Sequence, residues 1–470
     1  MSMLIKGGTV VSATGAQAME VLVDGETITA LLAPGTEPAQ AAERGADQVL
    51  DATGRYVVPG GVDGHTHMEL PFGGTVASDD FESGTRAAAW GGTTTIVDFA
   101  VQSAGEDVRD RLEAWMAKAD GNCAIDYGFH MIIGGVDEDS LKAMDALIHE
   151  GITSFKLFMA YPGVFLADDG QILRAMQQAA GNGGLIMMHA ENGLAIDVLA
   201  EQAVERGEVE PVNHGLVRRA EFEGEATHRA IQLAKVGAAP VYIVHLSASE
   251  ALAHVAAARD DGANVFAETC PQYLYLNLED HLGAPGFAGA GYVCSTPLRS
   301  RHEHHHADLW SGLRANDLSV VSTDHCPFCM KEQKELGVDD FRAIPNGIGG
   351  VEHRMDLIYQ GVAAGELTVP RWVELCSTTP ARMFGLYPRK GVIAPGSDAD
   401  IVLYDPDRPW TISVDNHHMN LDYSAYEGIE VSGKVDTVIA RGRVIVADDR
   451  YVGRKGDGRY LRRDLCGYLQ

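Results

Sequence analysis

The chain is predicted to be an α/β protein, a (β/α)8 TIM-like barrel joined to a small β-sandwich domain that both termini build. Three observations predict this. Eight short segments between residues 57 and 322 are apolar without alternation, the pattern of parallel strands covered on both faces. Helical periodicity separates most of them. Clusters of β-forming residues lie at both ends of the chain, and neither end alone has enough strands to bury two faces.

At the N-terminal end, Leu4-Ile5, Thr9-Val10-Val11, Val21-Leu22-Val23 and Thr27-Ile28-Thr29 read as short strands around the turn formers Gly7-Gly8, Asp24-Gly25 and Asp51-Ala52-Thr53-Gly54. Barrel strands follow at 57–62, 93–99, 127–133, 154–159, 185–188, 241–244, 264–267 and 318–322. Between them, 108–119, 140–149 and 172–180 are helical, and Gly151 and Gly262 stand where helices end. Ser247-Ala248-Ser249-Glu250 has the spacing of a capping box. A doubly wound open sheet is the rival architecture, but no glycine-rich phosphate turn follows the first strand. β-forming segments return at Asp400-Ile401-Val402-Leu403-Tyr404, Val435-Asp436-Thr437-Val438-Ile439 and Arg443-Val444-Ile445-Val446. The expected division is therefore 1–56 and 388–450 for the β domain, 57–387 for the barrel, and 451–470 for a polar tail that contacts other subunits.

Composition narrows the function. At 470 residues and 50.4 kDa the chain exceeds a usual single domain, and 46% hydrophobic residues are ample for a large core. A net charge of −29 argues against nucleic acid or an anionic membrane as partner, so the substrate is read as neutral or locally captured. No window approaches the roughly 18 consecutive apolar residues of a membrane span, and no basic-then-apolar leader opens the chain, which predicts a cytoplasmic protein. Seven scattered cysteines, an odd number, argue against a disulfide framework. Cys326-Pro327-Phe328-Cys329 spells a redox spacing but lacks a thioredoxin-like context.

The strand ends carry the chemistry. The first strand leads into Gly60-Gly61-Val62-Asp63-Gly64-His65-Thr66-His67, where two histidines one residue apart point to the same side. The fourth strand contains Lys156, the fifth ends in His189, the sixth in His245 and the eighth in Asp324. A single strand-end histidine is ordinarily a hydrogen-bonded structural residue. Six such residues converge on one mouth in a closed barrel, whose active site lies at the C-terminal ends of its strands. Four imidazoles with carboxylate-type oxygens suit Zn²⁺ or a similar first-row ion, and they are too many for one open site. Two divalent ions about 3.5–4 Å apart would use them all. An ammonium beside two cations would be repelled, but a desolvated lysine loses its proton readily. Neutral Lys156 can then capture carbon dioxide as a carbamate, N6-carboxylysine, whose two oxygens bridge the ions.

Taken together, His65-Thr66-His67-Met68-Glu69-Leu70-Pro71-Phe72-Gly73-Gly74-Thr75, Ser154-Phe155-Lys156-Leu157-Phe158-Met159-Ala160-Tyr161, His189-Ala190-Glu191-Asn192, Val244-His245-Leu246-Ser247, Glu268-Thr269-Cys270-Pro271-Gln272-Tyr273-Leu274, Ser322-Thr323-Asp324-His325-Cys326 and Pro345-Asn346-Gly347 give the chain its likeness to a known group. It resembles the amidohydrolase superfamily, and within it the dihydropyrimidinase and D-hydantoinase family of cyclic amidases, over nearly its whole length. The resemblance implies that His65, His67 and Asp324 hold one metal, that His189 and His245 hold the other, and that carboxylated Lys156 bridges them. It implies a homotetramer and a small cyclic ureide as substrate. It also implies that Tyr161 hydrogen-bonds the developing oxyanion, while backbone groups at Ser295 and Asn346 grip the ureide edge. Leu70, Phe72, Phe158 and Phe165 resemble the family's wall facing the ring's 5-substituent. The expected reaction is hydrolysis of hydantoins or 5,6-dihydropyrimidines to N-carbamoyl amino acids. A hydroxide bridging the binuclear centre attacks the ring carbonyl, and Asp324 passes its proton to the leaving nitrogen. In one place the chain departs from the family's usual Cys-Ser-Pro-Pro-Leu-Arg: Thr296 stands for the first proline.

Allantoinase and dihydroorotase share such a barrel and its metals, although Met68-Glu69-Leu70 stands where dihydroorotase-like enzymes carry an arginine for a substrate carboxylate. A different class, non-catalytic assembly proteins like the collapsin response mediators, keeps the fold without the full ligand set. The tract His302-Glu303-His304-His305-His306 reads as the solvated face of a helix start, and Gly347-Ile348-Gly349-Gly350 as a close backbone approach to substrate.

Overall fold

The computed structural model describes residues 2–469. Eight parallel strands form one sheet in the order Val320–Val321, Val265–Thr269, Val241–Ile243, Leu185–His189, Ser154–Phe158, Asp126–Ile133, Thr93–Gln102 and Gly61–Thr66. Every residue of these strands is buried, which is why the segments are apolar on both faces. Helices such as Val108–Ala119, Glu138–Ile148 and Asp169–Asn182 cover the outside, each started by an aspartate whose carboxylate accepts first-turn amide hydrogens.

The sheet curls until its two edges meet. A parallel bridge joins Thr66 to His325, and side chains complete the seam. Fully buried Arg354 donates through Nη1 to the carbonyls of Val62 (3.1 Å) and Val321 (3.0 Å), while Thr323 donates its hydroxyl to Asp63 at 2.6 Å. These contacts take over where the short eighth strand leaves backbone groups without a ladder partner.

The segment expected as one strand over 57–62 is two. Tyr56–Pro59 pairs antiparallel with Ile401–Asp405 and parallel with Thr9–Ser12, whereas Gly61–Thr66 enters the barrel. Gly60 makes the change of sheet possible, because a Cβ there would lie 2.1 Å from the Thr94 hydroxyl. The seven-stranded sheet thus mixes both ends of the chain, and a four-stranded sheet of Thr27–Leu32, Glu20–Asp24, Ser2–Lys6 and Gln48–Asp51 packs against it. Between them lies a small core of Met3, Ile5, Val21, Val23, Ile28, Val57, Ile401, Leu403 and Ile439. Within a stretch read only as strands and turns, Glu37–Gly45 is helical.

One further expectation differs. The capping box at Ser247 does not form: the Ser247 hydroxyl donates to Glu223 (2.6 Å) and accepts from Arg299 Nε (3.0 Å), so the helix Ser249–Asp260 begins without a side-chain cap. The C-terminal tail folds back on its own chain. The Leu461 amide donates to Tyr127, the Tyr127 amide to Arg459, and buried Arg463 donates to the Ser154 hydroxyl at 2.9 Å. A polar composition concealed this because Arg463 is buried with Nη1 and Nη2 donating to backbone and hydroxyl oxygens.

Candidate active site

The C-terminal strand ends bring the six residues singled out by sequence into one buried cluster. His65 and His67 leave the first strand. Their Nε2 atoms lie 3.1 and 3.2 Å from Asp324 Oδ1, and these three residues can hold a cation between them. Lys156 Nζ donates to His65 Nε2 at 2.9 Å. His189 and His245 face each other with Nδ1 and Nε2 3.0 Å apart, and the His245 ring lies 5.5 Å from that of His65. Asp324 and His245 both adopt positive φ, 52° and 40°, which turns the chain sharply as each strand ends.

The surroundings hold these donors in ligand-ready form. Burial pushes His67 down to about 3 and lowers His189 and His245 too, so these imidazoles are neutral. Burial works to raise Asp324, but the imidazoles of His65 and His67 hold its carboxyl well below the usual range. Burial pushes the Lys156 amine down to about 8 against the pull of Asp324 and Glu268, with the Phe99 and Phe158 rings 4.4 and 5.0 Å away.

Partners behind the cluster orient it, and sequence reading assigned them no role. Glu268 accepts from His65 Nδ1, from the His245 amide (3.2 Å) and from the Tyr242 hydroxyl (2.8 Å), which fixes the lone pair of His65 on Nε2, toward the site. Glu191 accepts from His189 Nε2 (2.8 Å) and Arg218 (2.9 Å), which leaves His189 Nδ1 as the inward acceptor. Asp98 accepts from the Thr66 hydroxyl and the Met68 amide. The available signal was local for Glu191, two residues from His189; for Glu268 it was its place at the end of the seventh strand, and nothing local paired it with His65, 203 residues away.

A divalent cation fits this donor set. With His189 Nε2 donating to Glu191, His189 Nδ1 and His245 Nε2 face each other, and His245 Nδ1 is buried without a partner. A cation between the rings would use both inward lone pairs, that of His189 Nδ1 and that of His245 Nε2. Four imidazoles, a carboxylate and an amine of depressed pKa are nitrogen and oxygen donors of the type Zn²⁺ takes.

Five of the six, all but His65, line the floor of a cavity. Leu70, Phe72, Phe158 and Phe165 line it, as do Tyr161, Ser295, Asn346, Ile132, Cys326 and Gly347. Phe158 stacks on Phe165 with centroids 5.1 Å apart, and Phe72 meets Tyr161 edge-on at 5.4 Å. Burial raises the Tyr161 phenol, which keeps its hydrogen available for donation. Asn346 Nδ2 donates to the Ser295 hydroxyl (3.1 Å) and toward the Tyr161 oxygen (3.4 Å). Thr296 donates its hydroxyl to the His245 carbonyl at 3.0 Å, a bond a proline cannot make. Gly347 has no room for a side chain, since a Cβ would lie 2.1 Å from the Cys326 carbonyl oxygen.

The other tracts fall elsewhere. All seven cysteines are free, and Cys326 faces the cavity while Cys329 points away toward Asn420. In the tract 302–306, His305 is buried rather than solvated: it accepts from the Ser249 amide and donates to Glu303, filling the place of the missing cap.

A family model described as amidohydrolase family matches residues 56–445. The D-hydantoinase of Streptomyces coelicolor is 62% identical over 466 residues, covering 99% of both chains. That of Geobacillus stearothermophilus is 45% identical over 471 residues, covering all of this chain and 98% of its own. Among solved structures, dihydropyrimidinase from Brevibacillus agri superposes with a TM-score of 0.95 at 45% identity over 99% of each chain.

Proposed function

The chain belongs to the amidohydrolase family, and we propose that it hydrolyses the ring amide of 5-substituted hydantoins and 5,6-dihydropyrimidines to N-carbamoyl amino acids, with preference for the D-configured hydantoins. One observation carries the reading: His67, Lys156, His189, His245 and Asp324, with His65 in contact behind them, meet at the floor of a cavity whose walls divide into a polar side at Ser295, Asn346 and Gly347 and an apolar side at Leu70, Phe72, Phe158 and Phe165. A ring with a ureide edge and an apolar substituent has the same division.

His65, His67 and Asp324 would hold one divalent ion, and His189 and His245 a second, with Lys156 reaching both as its carbamate. Zinc is the proposed ion. When bound, such ions polarise a carbonyl and make water ionise near neutral pH. The remaining roles fall to the chain. Asp324, ionised and beside both His65 and His67, accepts a proton at Oδ1 and delivers it to the ring nitrogen as that nitrogen leaves. Tyr161 donates its phenolic hydrogen to the oxygen that gains charge. Backbone groups at Ser295 and Asn346 hold the ureide, and the aromatic wall excludes water and seats the 5-substituent. A cytoplasmic homotetramer is the proposed setting and assembly, and Leu194 and Val198, one helical turn apart and 64% and 51% exposed, are apolar positions available to a subunit contact. Sedimentation equilibrium measures the assembly.

A panel of hydantoin, D- and L-5-phenylhydantoin, dihydrouracil, allantoin and dihydroorotate, with metals quantified on the same sample, tests the reading. Turnover of the D-phenyl compound and of dihydrouracil with two ions per chain is the expected result. Turnover confined to allantoin or dihydroorotate reassigns the substrate, and a chain without metal or turnover rejects the reading.

A further inference from the structure

A second lysine is wholly buried near the cavity, and among the described residues it has no acidic partner. Lys334 begins the short helical turn Lys334–Gly337, and its side chain is completely excluded from solvent. Its Nζ donates to the carbonyls of Val293 (3.1 Å), Pro345 (2.7 Å) and Gly347 (2.9 Å). Three N–H hydrogens meet three carbonyl oxygens, so the ammonium is satisfied by backbone alone. Burial pushes the amine down to about 7, while the three acceptors each call for a hydrogen and favour the cation.

These carbonyls come from two segments that reach the cavity from different parts of the chain. Val293 lies two residues before Ser295, and Pro345 and Gly347 flank Asn346. The segments are joined by few other bonds: the Gly347 amide also donates to Val293 (2.9 Å), and Asn346 Nδ2 donates to the Ser295 hydroxyl. Lys334 is the group that reaches both segments and is itself outside the cavity lining. Without it, the Pro345 and Gly347 carbonyls would lose these buried charge-assisted bonds.

We propose that Lys334 is a positioning residue, which locks the 293–295 and 345–347 segments at the spacing where Ser295 and Asn346 hold the ureide edge of the substrate. The inference rests on the cyclic-ureide reading of those two residues. The six candidate metal ligands stand on other elements, so loosening the two segments acts on substrate capture more than on the chemical step.

Lys334→Met keeps the length of the buried chain and removes all three donors. In the metal-loaded enzyme, KM for dihydrouracil and for 5-phenylhydantoin is expected to rise about tenfold or more, with kcat and metal content within about twofold of the parent. Lys334→Gln, which retains N–H donors, gives a smaller rise in the same direction and carries the test if the methionine variant does not fold. A lowered melting temperature with KM unchanged overturns the proposal and leaves Lys334 a stabilising residue only. Competitive binding of glutarimide, which lacks one ureide nitrogen, separates the premise from the inference. If the parent enzyme binds glutarimide as well as dihydrouracil, the ureide reading fails; if it discriminates while both Lys334 variants keep the parent KM, the Lys334 proposal fails alone.

Discussion

Nζ of Lys156 lies 2.9 Å from Nε2 of His65, deep in the barrel mouth and, among the described residues, without a carboxylate in hydrogen-bond contact. An amine placed among imidazoles and depressed by burial to about 8 is a poor permanent cation and a good carbon dioxide acceptor. Lys156→Ala is predicted to lose both ions and turnover together, with partial recovery in short carboxylic acids that replace the carbamate oxygens. Metal analysis of the variant checks this, and full occupancy without the lysine counts against the bridge.

Glu268 holds His65 through Nδ1, so Glu268→Gln should leave the ligands in place while loosening the ring and weakening its basicity. Metal affinity is predicted to fall by about 10–100-fold, the usual cost of losing a partner behind a ligand. Competition with a chelator reads it directly. An unchanged affinity would make the Glu268 contacts to Tyr242 and His245 purely structural.

The stacked pair Phe158 and Phe165 defines the apolar wall. Phe158→Ala should reduce the preference for 5-phenylhydantoin over unsubstituted hydantoin by about 1.5–3 kcal/mol in kcat/KM, as the aryl group loses its burial. Steady-state kinetics on both substrates suffice. The same ranking in parent and variant removes this residue from substrate recognition.

Lys390 joins barrel to β domain, with Nζ 2.6 Å from Asp126, 2.7 Å from Asp400 and 3.0 Å from Asp398. Lys390→Met leaves buried Asp400 without its cation and buried Asp126 with Arg441 alone, and is predicted to cost about 3–5 kcal/mol at neutral pH. The pH dependence has a definite sign. In the parent, burial works against Asp126, but Lys390 and Arg441 hold its pKa down, so its contribution is present above the unfolded value and is lost as pH falls through the folded one. In the variant, burial prevails at Asp400, already raised in the parent, and the penalty grows as pH rises through the unfolded carboxylate value. The stability gap between the two chains should therefore narrow toward pH 4, as denaturant titrations at several pH values would reveal; a gap independent of pH refutes the assignment.

The barrel strands, the paired histidines and the strand-end positions of Lys156, His189, His245 and Asp324 were all legible in the sequence, because each depends on local periodicity and on side-chain direction along a strand. The β sandwich was legible for a different reason: two half-complete sets of strands have to find each other to bury Val57 against Ile401 and Ile439. Tertiary structure alone decided the rest. It split the first apolar run at Gly60, brought Arg354 to the seam, folded the tail's Arg463 under the barrel, moved Ser247 from cap to Glu223, and joined His65 to Glu268 and Lys334 to three distant carbonyls. Hydrophobic burial follows a pattern repeated along the chain and can be read from neighbours. A buried hydrogen bond depends on which donor and acceptor come within about 3 Å after folding, and chain separation carries no information about that.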